Sequence, residues 1–113
     1  MDSSTKRIDR EYKLFTMERD GNYYEFPIFE CKTIRQEGAE DTFRFMCPFC
    51  STAKTGDSNG KRYAFHTHSA DIGLRKPRCH KGDARLVMPS GTVITNSIGY
   101  YLVPEGYIKE SGV

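Results

Sequence analysis

The chain has 113 residues, 37% of them apolar and 28% charged, with no tryptophan and a formal net charge of +2. That length supports a single domain with its own core. No apolar run approaches the roughly 18 residues that a membrane helix requires, and the stretch from Met1 to Arg10 is too polar to be expected to act as a secretory signal. The composition predicts an intracellular, cytoplasmic protein.

Residues 1–11 are polar apart from Ile8, and are expected to form a frayed arm or a short helix beginning near Ser4. The next region, residues 12–46, reads as β structure. Tyr12 to Arg19 and Tyr23 to Arg35 are β-prone segments flanking Asp20-Gly21-Asn22, a turn able to accept positive φ, which together predict a hairpin. At Pro27 a ladder donor is missing and the apolar phase shifts, from Tyr24, Phe26 and Ile28 to Phe29, Cys31 and Thr33. An edge strand or a bulge is expected there. Gln36 to Asp41 is a charged turn around Gly38, and Thr42 to Met46 alternates with Phe43 and Phe45 on one face.

Residues 47–85 hold the chemistry. Cys47-Pro48-Phe49-Cys50, His66-Thr67-His68 and Cys79-His80 contain all three histidines and three of the four cysteines. Zinc takes tetrahedral sulfur and imidazole ligands, and two thiolates separated by two residues can reach one ion from a tight turn. A redox role for the pair would place a helix after it, and Ser51 to Lys61, rich in Ser, Thr, Gly, Asp, Asn and Lys, reads as a long loop instead. Arg62 to His68 resumes a strand with Ala64, His66 and His68 on one side, and Ser69 to Gly82 is irregular. The expected ligands are Cys47, Cys50, His68 and Cys79. His66 competes with His68 because, with two or three cysteines bound, the ion has room for only one or two imidazoles, and His80 competes with Cys79 because neighbours on an extended chain point apart and one ion rarely takes both. Cys31, between Phe29 and Thr33, reads as a small buried thiol outside the site.

The same region is the basic one. Residues 1–46 carry eight Lys/Arg and ten Asp/Glu, whereas residues 51–85 carry eight Lys/Arg and three acids. Arg62, Arg75, Lys76, Arg78 and Lys81 are candidates for pairing with phosphates, and Tyr63 or Phe65 for stacking on bases. A solvated loop produces the same charge pattern. Residues 86–113 turn apolar and β-branched again. Leu86 to Met88, a Pro89-Ser90-Gly91 turn, Thr92 to Thr95 and Ile98 to Val103 predict two or three strands, with Tyr100 to Val103 central and Pro104 to Gly106 ending the last. The fold class expected is mainly β: a small antiparallel domain with a zinc-ribbon-like lobe and long loops.

Cys47-Pro48-Phe49-Cys50, His66-Thr67-His68-Ser69, Gly73-x-Arg75 with Cys79-His80, and Gly99-Tyr100-Tyr101-Leu102 resemble the CPxC, HxHG, GxR, His-Cys and GYxL pattern of small phage and prophage-type zinc-ribbon proteins. The resemblance covers residues 45–103. Ser69 stands at the pattern's glycine, and the His-Cys pair is reversed. It implies a small metal-binding accessory protein. The function expected is a non-enzymatic zinc protein that contacts DNA, RNA or a nucleic-acid-handling protein. The alternatives are a protein-binding inhibitor of a host enzyme, which would present the acidic hairpin, and a hydrolase or nuclease using His66, His80 or Asp71 as a base on metal-bound water.

Overall fold

The computed structural model describes residues 5–50, 65–77, 79 and 84–110. Among these, nine strands and one helical turn follow in order: β1 (Thr5–Arg7), β2 (Leu14–Arg19), β3 (Asn22–Ile34), β4 (Thr42–Met46), β5 (Phe65–Ser69), β6 (Gly73–Arg75), β7 (Arg85–Val87), β8 (Val93–Thr95), β9 (Tyr100–Pro104) and α1 (Tyr107–Glu110). The protein is mainly β. Five of the seven strand pairings among the described residues are antiparallel, and two are parallel. None of the described helices is long and apolar enough to cross a membrane.

The β2–β3 hairpin closes through Asp20 and Gly21, whose φ values of 54° and 82° lie in the left-handed region and leave Arg19 paired with Asn22. A two-residue turn with both φ positive matches the twist of the flanking strands. β3 is the long strand about which the larger sheet is built, in the order β5-β4-β3-β9-β6 with β2 also on β3. Its partners change along its length: β2 pairs with Asn22 to Pro27, β9 with Ile28 to Cys31, and β4 with Lys32 to Ile34. The phase shift visible in the sequence at Pro27 marks that exchange. Pro27 cannot donate, and Ile28 N–H makes the last bond toward the β2 segment, to Lys13 O at 2.9 Å. Both Phe26 and Pro27 are buried, so the two faces of β3 are covered at this point.

A second sheet, β1-β7-β8, contributes Leu86 and Ile94 to the same core. The N-terminal segment differs from the expected arm or helix. Thr5 to Arg7 pair in parallel with Arg85 to Val87, Ile8 N–H bonds Val87 O at 3.0 Å, and Ile8 packs against the core. A segment this short and polar has no periodic signal of its own, and its strand conformation comes from a partner about eighty residues away. β6 likewise lies in a stretch expected to be irregular. Gly99 lets it pair closely with β9, because a Cβ on Gly99 (φ 114°) would collide with the Arg75 carbonyl oxygen.

Phe29 is the hub of the core. Its ring lies 5.0 Å from Phe45, 5.2 Å from Tyr12, 5.4 Å from Tyr100 and 6.2 Å from Phe49. Phe45 belongs to β4 and Phe49 to the Cys47–Cys50 turn, so the core reaches the base of the metal-ligand cluster.

Candidate metal centre

β4 alternates strictly, with Phe43 and Phe45 buried and Arg44 and Met46 exposed, and Cys47 continues the buried register one step past the strand. The chain then turns through Pro48 and Phe49, and the burial of Phe49 beneath the turn brings Cys50 back beside Cys47. β5 runs antiparallel to β4 with Phe45 opposite His66 and Phe43 opposite His68, so both imidazoles lie on the buried face. Cys79 arrives from the segment after Pro77.

The ligand atoms of Cys47, Cys50, His66 and Cys79 all lie within 4.8 Å of one another. Cys47 Sγ is 3.6 Å from Cys79 Sγ, and Cys50 Sγ is 3.5 Å from His66 Nε2. Metal bonds of ~2.3 Å to sulfur and ~2.0–2.1 Å to imidazole nitrogen place tetrahedral neighbours roughly 3.8 Å apart for two sulfurs and roughly 3.5 Å apart for sulfur and nitrogen. These two contacts therefore have the spacing of donors already arranged around one ion. The four side chains fit a metal ion.

Electrostatics point the same way. The Cys79 thiol is lowered to about 5, first by the hydrogen bond from Cys47, with burial working against the shift. Cys47 is raised, first by that same hydrogen bond and then by burial. The pair thus takes one negative charge readily and resists a second. A cation at the centre would remove that resistance, since metal binding displaces thiol protons.

The structure gathers His66, and not the expected His68, with the three thiols. The reason is register. Because β5 is antiparallel to β4, the earlier histidine lies nearer the turn that carries Cys47 and Cys50, while His68 lies two residues farther along, roughly 7 Å at the rise of an extended strand. His68 Nε2 instead makes a 2.9 Å hydrogen bond with the buried Tyr100 hydroxyl, and its ring stacks on Phe45 at 6.3 Å. His68 is a polar pillar of the core beneath the site. Of the competing neighbours Cys79 and His80, Cys79 is in the cluster and His80 lies outside the described residues.

Asn96 carries no signal in the sequence. Its backbone N–H donates to Ala84 O at 3.3 Å, and its side-chain oxygen accepts from Ala84 N–H at 3.0 Å. Its amide also hydrogen-bonds Cys79, helping to hold that thiol down. Outer partners of this type orient a ligand and tune its basicity. Asn96 is buried one residue past the end of β8, so the smaller sheet supports the centre.

Among the expected phosphate contacts, Arg75 is committed elsewhere. Its guanidinium donates to Ser69 O and Leu74 O at 3.1 Å and also to Asp71 O, clamping the bend between β5 and β6. Lys76 is exposed. Arg62, Tyr63, Arg78 and Lys81, and the stretch Ser51 to Lys61 expected to be a loop, lie outside the described residues. Cys31 is fully buried and its thiol is raised to about 12 by burial, in keeping with a place outside the site. No protein family, curated protein or solved structure matches the chain.

Proposed function

We propose that the chain is a small non-catalytic zinc protein, zinc-ribbon-like as the resemblance to phage and prophage-type proteins implies, that serves as an accessory in nucleic-acid handling. The observation that carries the zinc assignment is the Cys3His set itself, four donors within 4.8 Å of one another. Borderline-soft zinc favours three thiolates and an imidazole, and four protein donors fill its tetrahedron, leaving no position for a reactive water. That favours a structural ion over a hydrolytic one.

The nucleic-acid part of the reading is supported by charge, eight cations against three acids over residues 51–85. Metal analysis of the purified protein should find one zinc per chain. Cobalt(II) substitution should give the absorption of a tetrahedral thiolate-rich site, and chelation should unfold the region from Cys47 to Arg85. A natively folded, metal-free protein would overturn the zinc assignment, and a stable three-ligand ion carrying water would return the hydrolase to first place.

A further inference from the structure

The strands that bury the metal-ligand histidine carry a different set of residues on their other face. On β4 and β5 the outward positions include Arg44, Met46, Phe65 and Thr67, all exposed, and Lys32 of β3 continues the row. The register brings these residues together: Met46 is opposite Phe65, and Arg44 lies between Lys32 on one side and Thr67 on the other. Phe65 is 48% exposed and Met46 39%, and the Arg44 guanidinium lies over the Phe65 ring at 4.2 Å.

Two features of this face call for a ligand. Lys32 and Arg44 are like charges directly opposite on neighbouring strands, a destabilising arrangement. Among the described residues neither has a carboxylate partner, the one ion pair being Arg35 with Asp41 at 3.9 Å. Beside this cation pair stands a half-exposed aromatic ring with a guanidinium already on it. An occupant that satisfies both must be anionic and must offer flat π surfaces, spaced along a chain that can follow the strands.

Resting on the nucleic-acid reading above, we propose that the exposed β3–β4–β5 face binds single-stranded nucleic acid, with a base stacked on Phe65 and backbone phosphate between Lys32 and Arg44. Stacking platforms flanked by cations tolerate any base, because every base has a π face, and they discriminate against duplexes, whose bases are already stacked. Glu30, two residues along β3 on the same side, sets an acidic limit to the track at that end. Since Met46 precedes Cys47 and Phe65 precedes His66, the metal ion would hold the pair of strands that presents the platform.

The test uses the zinc-loaded full chain and labelled oligo-dT, oligo-U and duplex DNA of equal length, read by fluorescence anisotropy at about 50 mM salt, the low-salt regime in which phosphate contacts are strong. Single strands are expected to bind more tightly than the duplex, with the two oligonucleotides separating a DNA ligand from an RNA ligand. Phe65→Ala should weaken binding roughly tenfold, in the range of one lost base stack. Lys32→Gln with Arg44→Gln should weaken it further and flatten the log-log salt dependence by roughly 1.4, two phosphate contacts at about 0.7 each. Both variants should retain one zinc, and the double variant should melt close to wild type, because relief of the like-charge pair offsets loss of the Arg44 contact with the Phe65 ring. If these variants bind as wild type while Lys76→Gln with Arg78→Gln abolishes binding, the interface lies in the metal lobe and the face proposal fails while the nucleic-acid reading stands. If the folded, zinc-loaded protein binds none of the three probes, both fail. Equal binding of polyglutamate would also overturn the proposal, marking the face as a site for acidic protein.

Discussion

The two ends of the buried layer in β4 and β5 are held together by different physics. Around Phe29, the rings of Tyr12, Phe45, Phe49 and Tyr100 fill space, and their stability scales with the area removed from water. At His66, opposite Phe45, and at Cys47, one register step past it, the same face gathers three thiols and an imidazole. These are small polar groups whose close approach is costly while thiolate charge has no counter-ion. The first end is self-sufficient, and the second is organised for a cation. Because Cys47 is 0% exposed and packs within the aromatic core, the ends are continuous, and metal loss should be felt beyond the ligands.

The largest effect is expected at Cys47, which belongs to both ends. Cys47→Ala should lose the metal and unfold the site, removing a share of the ~10–16 kcal/mol of apparent binding energy seen for structural zinc in small peptides. Phe29→Ala should cost about 3–5 kcal/mol by cavity formation yet keep one metal per folded chain, as chemical denaturation and metal analysis of the same samples would show. Equal metal loss in both variants would mean that the two ends are a single unit.

The histidines sharpen the contrast at smaller magnitude. His66→Ala should abolish tight metal binding, whereas His68→Ala should retain the ion and lose about 1–3 kcal/mol of stability by removing the buried hydrogen bond between His68 and the Tyr100 hydroxyl. The opposite assignment of metal loss would exchange their roles. Asn96→Ala should lower metal affinity by roughly 10- to 100-fold without changing stoichiometry, measured by competition with a chromophoric chelator.

The smallest effect concerns Cys31, at the apolar end. Its thiol is raised to about 12 from an ordinary 9.0, so the unfolded chain ionises first. The contribution is complete below pH 9.0 and is lost progressively as the pH rises from there toward about 12. Cys31→Val should show a shallower alkaline decline of stability than wild type; parallel curves would remove the assignment.

Much of the site is legible in the chain's local pattern. Cys47 and Cys50, separated by two residues, with Cys79 downstream, announce a ligand set, and the alternation of Phe43, Phe45 and Cys47 continues past the strand. The choice between the histidines is hidden in the same alternation. If the strand bearing His66 and His68 returns antiparallel to the one bearing Phe43 and Phe45, the first histidine must face the turn that carries the cysteines. Proximity in sequence to the downstream loop favours His68, and pairing register decides for His66.

By itself the sequence determined the β class, the Asp20-Gly21 turn, the chemical type of the ligands and the faces of the alternating strands that carry Phe43, Phe45, His66 and His68, because periods of two and turn residues are local properties of the chain. Tertiary structure alone decided the parallel pairings of β1 with β7 and of β3 with β9, the alliance of His68 with Tyr100, the support of Cys79 by Asn96, and the meeting of Lys32, Arg44 and Phe65 on one exposed face. Each of these joins residues far apart in the chain. Which strand becomes a neighbour is settled by how the whole set buries its apolar surface, and no local window contains that information.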